Sequence, residues 1–461
     1  MHTPNATYRL QLNKDFGFCD VLKLVPHLDS IGISDLYLSP IFQARKGSMH
    51  GYDVTDPSRL NEELGTPQDF DALVEGLRGR GMSILLDIVP NHMAASAENP
   101  WWVDVLENGS ASQYSAFFDV EWNDDSPAVH EGIYLPILGE PYAEALEQQK
   151  LHLWIDEQGL HLSYYDTPFP LDPSTYGDVV SYRLSDLLGK LDPATPLLRE
   201  LGEFLESTER LPARSSSEWE ILELRRREAP RVKRKLADLY ARFQQVRSFI
   251  DENIRIFNGK KGDPRSFDLL DALIRKQPYE LAFWRVAREK INYRRFFDVT
   301  ELIGIRAQEA QVFDATHALP LELLAEGKVS GLRIDHVDGL LDPAGYLGRL
   351  QKRATEAAGG KTVYIIVEKI LNDRELLPDG WPVAGTTGYD FLGAVNNLFV
   401  HPEGLERLQQ FYAEFTGETR SFYDVANEQK RKIMRDLFVG EMNALAFHLQ
   451  SIAENDRYGR D

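Results

Sequence analysis

Cysteine is nearly missing from this chain: Cys19 stands alone among 461 residues, so no intrachain disulfide can staple the fold. Basic side chains are also in deficit, with 51 Lys and Arg against 72 Asp and Glu. The resulting net charge of −21 repels phosphate backbones and argues against nucleic acid or an anionic membrane as partner. No apolar run approaches the roughly 18 residues of a membrane span. The start, Met-His-Thr-Pro-Asn-Ala, has neither the basic region nor the apolar core of a signal peptide, so the cytoplasm is the expected compartment. No internal repeat or low-complexity tract stands out. No clustered His, Cys or carboxylate pattern calls for a metal, and no cofactor is expected.

The 43% hydrophobic and 11% aromatic content supplies a sizeable core and rings for stacking on a ligand. At 461 residues the chain exceeds one ordinary domain but suits an α/β barrel with insertions. Ala6 to Leu12 alternates as a strand. Val21, Leu24, Val25, Leu28 and Ile31 then follow at helical spacing, and Gly32 ends the helix. Asp35 to Pro40 is a second strand. Thr66 and Pro67 are placed as helix cap and first-turn proline ahead of Phe70, Leu73, Val74 and Leu77. Ser83 to Asn91 is nearly continuous in apolar residues, as a parallel strand buried on both faces would be. Strands at 331–336 and 363–368, a helix starting at Asp342-Pro343 and a sixth strand at 383–388 complete the pattern. The expected architecture is an α/β (β/α)8-type (TIM) barrel, incomplete at about six strands, with a large insertion after the third.

The boundaries read from composition are 1–92 for the first part of the barrel, 93–190 for an aromatic-rich mixed or β insertion, 191–315 for a helical insertion, and 316–461 for the second part of the barrel. Within the helical insertion Pro230 is expected to divide Glu218 to Ile250 into two helices. The basic run Arg225 to Lys235 is interspersed with acids and reads as a solvated helix face.

Three strands end in polar groups. Asp87 and Asn91 share a face on the third, with His92 next. Arg333 and Asp335 share a face on the fourth, and Glu368 ends the fifth. An Arg–Asp pair at a strand end also serves simply to hold strands together, and Glu368 beside Lys369 suits a surface ion pair. Barrel active sites, however, assemble at C-terminal strand ends, and this makes Asp335 and Glu368 a candidate carboxylate pair. A retaining glycosidase needs two such groups about 5 to 5.5 Å apart, one as nucleophile and one as acid/base. Arg333 would keep the nucleophile ionised.

The runs Leu86 to His92, Gly331 to His336 and Ile365 to Glu368, with His50 to Val54 ahead of them, resemble the motif regions of the α-amylase family of glycoside hydrolases. Asn292 to Phe297, Ala315 to Ala318, Tyr164 to Asp166 and Gly385 to Asp390 extend the likeness to members that rearrange maltooligosaccharides, so it covers nearly the whole chain. The resemblance implies Asp335 as nucleophile, Glu368 as general acid/base and Arg333 as the residue orienting Asp335. It implies Tyr52 stacking on the sugar, with Asp53, Asn91, His92 and His336 lining that subsite. An enclosure that keeps water out is expected from the insertion 93–315, with its aromatics such as Tyr165 and the cluster Arg294, Arg295, Phe296 and Phe297. The reaction implied is an intramolecular transglycosylation that turns the reducing-end α-1,4 bond of a maltooligosaccharide into an α,α-1,1 bond. A maltooligosyltrehalose-cleaving hydrolase is the implied functional partner. One departure is plain: none of the eleven histidines is followed by Asp, so the family's third carboxylate motif has no match. A glucan hydrolase of the same family and a silent glucan-binding fragment therefore stay open, and a truncated chain is expected.

Overall fold

The computed structural model describes residues 2–122, 132–192, 195–216, 218–287, 290–372 and 374–455. The chain divides into two compact units, residues 1–94 with 295–436 and residues 95–294 with 437–461.

The first unit is built on a six-stranded parallel sheet. Its strands are β1 (Thr7–Leu10), β2 (Asp35–Leu38), β3 (Ser83–Ile88), β4 (Gly331–Ile334), β5 (Tyr364–Val367) and β6 (Gly385–Thr386), neighbours in that order. This is the sheet of an incomplete barrel. The middle strands β3 and β4 are buried almost throughout, which is why their sequences run apolar without alternation. Three of the four residues of β1 are exposed, as befits an edge. The register sets Arg333 of β4 beside Asp87 of β3, and Arg9 of β1 beside Tyr37 of β2. In-register neighbours project to the same face, so four strands deliver polar groups to one place.

In the same unit helix α1 (Phe18–Ser30) packs on α2 (Pro67–Arg78), α2 on β3, and α3 (Ala310–Ala325) on α4 (Pro343–Ala357). Their caps follow the expected signals: Thr66 accepts from Asp69 N–H, and Asp342 accepts from Gly345 N–H. Phe18, Val21, Val25 and Leu28 form the buried stripe of α1, while Ile31 lies beyond the helix and is 54% exposed. Among the described residues, no helix is long and apolar enough to cross a membrane.

The second unit joins a three-stranded antiparallel sheet (Leu151–Asp156, Gly159–Tyr164, Thr167–Pro170) to the long helices Pro196–Glu209, Trp219–Arg242 and Gln244–Phe257. The expected break at Pro230 does not occur. Arg225, Ala229, Val232, Leu236 and Leu239 form one buried stripe on both sides of the proline, and burying it outweighs the lost backbone bond. The interruption falls instead at Phe243, whose φ of −116° and ψ of 105° are extended. The basic run is not wholly a solvated face either. Arg225 is 1% exposed, and its guanidinium bonds Asp172 at 2.6 Å and the Pro212 carbonyl at 2.7 Å.

Candidate active site

The cleft sits at the C-terminal strand ends of the first unit. The ladder continues past β4 and β5: Asp335 N–H donates to Ile88 O at 2.9 Å and Glu368 N–H to Ile334 O at 2.8 Å. Both carboxylates are thereby fixed at adjacent strand tips. A cavity of about 550 Å³ opens above them, lined by Arg9, Tyr37, His50, Tyr52, His92, Phe296, Arg333, Asp335, Glu368 and Tyr389 among others.

Arg333 is the hub. Its Nη1 bonds Asp87 at 2.8 and 3.0 Å and Asp335 at 2.7 Å, and its Nη2 lies 3.1 Å from Glu368 Oε1. One cation thus meets three carboxylates. Burial of Arg333 works against its charge, but Asp87, Asp335 and Glu368 hold its pKa above the ordinary arginine value. Burial, followed by the charge of Asp87, pushes Asp335 up to about 7, and Arg333 only partly offsets that rise. Asp87 is raised too, chiefly by burial. The expected role of Arg333 in keeping Asp335 ionised is therefore real in sign but outweighed. Glu368 is gripped on both oxygens, since Oε2 also accepts from His336 N–H at 2.9 Å. His336 offers that N–H from a left-handed backbone, φ +44°. Lys369 pairs not with Glu368 but with Asp338 and Glu375, at 3.2 and 3.0 Å.

Tyr52 enters from the loop after β2. Its hydroxyl donates to Asp87 Oδ2 at 2.7 Å, and Tyr37 donates to the same oxygen at 3.1 Å. Gly51 makes this approach possible: it has φ +79°, and a Cβ there would meet Pro40 O at 2.7 Å. Burial and the Asp87 charge raise both tyrosines, so they stay protonated donors. Arg9 Nη2 donates to Tyr52 Oη at 3.1 Å, and its guanidinium lies over the Tyr37 ring.

Of the residues expected at the site, Tyr52, His92, Arg333, Asp335 and Glu368 line the cavity. Asp53 and Asn91 are buried behind it. Ser48 Oγ donates to Asp53 at 2.5 Å, and the Asn91 amide meets His92 Nδ1 at 3.3 Å. The strand Arg295–Phe296 pairs with Val299–Gly304, which pairs with His92–Ala94, so this ribbon brings Phe296 against both His92 and His336, with ring centroids at 4.4 and 4.9 Å. Phe297 packs on His336 at 5.2 Å and is 58% exposed. Arg295 is buried in the ribbon, where Nη1 donates to Asp298 O. Arg294, paired with Asp119 at 2.8 Å, and Tyr165 belong to the second unit. Phe296, expected in the enclosure, also lines the cavity, while Arg9, Tyr37 and Tyr389 are additions to the expected set. Applying the strand-end argument to β1 and β2 would have found the first two, because Arg9 and Tyr37 are register partners.

Residues 20–155 match the family model described as alpha amylase, catalytic domain. A Mycobacterium tuberculosis protein named putative maltooligosyl trehalose synthase is 32% identical over 407 residues, covering 87% of this chain and 39% of that one. The solved maltooligosyltrehalose synthase of Arthrobacter ramosus is 31% identical with a TM-score of 0.70, covering 97% of this chain and 45% of its own. A Sulfolobus tokodaii structure named hypothetical maltooligosyl trehalose synthase is 28% identical with a TM-score of 0.66, covering 97% and 46%. The chain spans less than half the length of these relatives. Part of the chain, residues 20–155, is thus similar to an α-amylase catalytic domain, and most of its length is similar to the proteins named maltooligosyltrehalose synthase.

Proposed function

We propose that the cleft of the first unit converts the reducing-end α-1,4 bond of a maltooligosaccharide into an α,α-1,1 bond by a retaining double displacement. The observation that carries this reading is the grip of one buried guanidinium on two carboxylates at neighbouring strand tips, Asp335 at 2.7 Å and Glu368 at 3.1 Å, beneath Tyr52. Asp335 attacks the anomeric carbon of the second-last glucose while Glu368 delivers its proton to the departing oxygen. The products are an Asp335 glycosyl ester and a free terminal glucose. That glucose turns over, and its anomeric hydroxyl attacks the ester carbon as Glu368 takes the hydroxyl proton and Asp335 leaves as carboxylate. No atom is gained or lost. Water must be slower than the held glucose, and the rings of Tyr52, Phe296 and Tyr389 give the cleft apolar walls that favour retention. The trehalosyl-ended product would be the natural substrate of a hydrolase that cleaves it.

A second reading, a silent glucan-binding chain, has one observation in its favour: no His-Asp pair supplies a third carboxylate. Incubation with maltopentaose separates the readings. Transglycosylation yields a non-reducing isomer of unchanged mass, hydrolysis yields glucose and shorter reducing sugars, and a silent chain binds the sugar without turnover.

A further inference from the structure

The second unit contains a cleft of about 500 Å³ lined by Gln148, Gln149, Lys150, His152, Ser163, Tyr165 and Lys261. Tyr165 is its unusual member. Strands Gly159–Tyr164 and Thr167–Pro170 pair with Tyr164 opposite Thr167, so Tyr165 and Asp166 form a two-residue hairpin link. Positive φ in such links belongs to Gly, Asn or Asp, yet Tyr165 holds φ +48°, a conformation strained for any residue with a Cβ. Folding does not explain this choice, because the side chain is 61% exposed and adds nothing to the core. Strain kept at an exposed aromatic directs attention to a ligand.

The surroundings are held in place. Tyr164 meets the Tyr165 ring edge-on at 4.7 Å, and its hydroxyl accepts from Gly139 N–H and donates to Glu140. Lys150 bonds Glu140 at 2.7 Å and caps one face of the Tyr165 ring at 5.9 Å. The Gln149 side chain donates to Asn258 O and Gly259 O, which fixes the cleft's rim. With the charge of Lys150 already matched, the wall offers amide, hydroxyl and imidazole groups and the Lys261 ammonium around one exposed ring. An aromatic ring beside so many hydrogen-bonding groups suits a polyol.

We propose that this cleft holds a segment of α-glucan, with a pyranose ring stacked on the exposed Tyr165 ring and its hydroxyls met by Gln148, His152, Ser163 and Lys261. The proposal rests on the glucan reading given above and deepens it. The test is calorimetric titration of the full Glu368→Gln chain with maltoheptaose, alone and carrying Tyr165→Gly, Tyr165→Phe or Tyr52→Ala. Two classes of site are expected. Tyr165→Gly weakens one class at least tenfold while the thermal midpoint stays level or rises, since glycine relieves the strain; Tyr165→Phe retains that class. Tyr52→Ala weakens the other class. Glucan binding in Tyr165→Gly equal to the parent overturns the proposal and leaves the catalytic reading standing. Loss confined to Tyr165→Gly, with no class sensitive to Tyr52→Ala, supports this site and counts against the cleft. Binding of inorganic phosphate but not of maltoheptaose at the Tyr165-sensitive site also overturns it.

Discussion

Two buried arginines, one in each unit, have opposite surroundings. Arg225 shares Asp172 with Arg214, bonded at 2.6 and 3.1 Å, and Asp172 also accepts from the backbone and hydroxyl of Ser174. Two cations and neutral donors there meet one carboxylate, and the cluster ties Asp172 to the long helix Trp219–Arg242. Arg333 faces the reverse ratio, one cation to Asp87, Asp335 and Glu368. Burial first, and then the surplus of negative charge, brings the Asp335 carboxyl into the neutral pH range. The first arrangement stabilises a fold, while the second perturbs the ionisation of a carboxylate at a strand tip and carries an electrostatic cost.

The contrast breaks most visibly when each cluster loses one member. Glu368→Gln removes the proton donor and is expected to lower maltopentaose turnover by about 10²–10⁴-fold, with little change in urea unfolding. Arg225→Ala acts in the opposite sense, costing about 3–5 kcal/mol of stability by leaving a buried carboxylate short of a partner, as equilibrium unfolding would record.

The pH dependence sharpens the comparison further. Asp335 has its folded pKa raised to about 7 from 3.8, so the folded state holds the proton more tightly than the unfolded chain. Its contribution to stability is present at low pH and is lost as pH rises from about 4 through about 7. Turnover should rise across that upper limb as the nucleophile ionises. Asp335→Asn should abolish turnover yet become progressively more stable than the parent between pH 4 and 7; a constant stability difference would refute the assigned shift. The smallest effect belongs to Tyr52→Phe, which removes one donor to Asp87 while Tyr37 and Arg333 keep theirs. It should cost about 1 kcal/mol of stability, read by chemical denaturation.

The parallel sheet was legible because strands buried on both faces write continuous apolar runs, and because Arg333, Asp335 and Glu368 close those runs with charge. Burial against neighbours was not legible. Pro230 obeys the breaker rule in isolation, but the stripe from Arg225 to Leu239 overrides it. Arg225 looks like any surface arginine until Asp172, 53 residues away, is placed beside it. The service of Arg9 and Tyr37 to Tyr52 and Asp87 depends on strand register, which no single strand's pattern carries. Tyr165 lies in a recognisable motif, but its left-handed backbone and the cleft it lines are properties of the fold.

The central claim is that Arg333 divides two carboxylates into nucleophile and acid/base. An α-maltotriosyl fluoride carries a leaving group that needs no protonation, so the Glu368→Gln chain should still form the first ester with it but release it slowly. Peptide mass spectrometry of that reaction is predicted to find one glycosyl adduct, on the peptide bearing Asp335. An unmodified chain, or an adduct on any other carboxylate, would contradict the account.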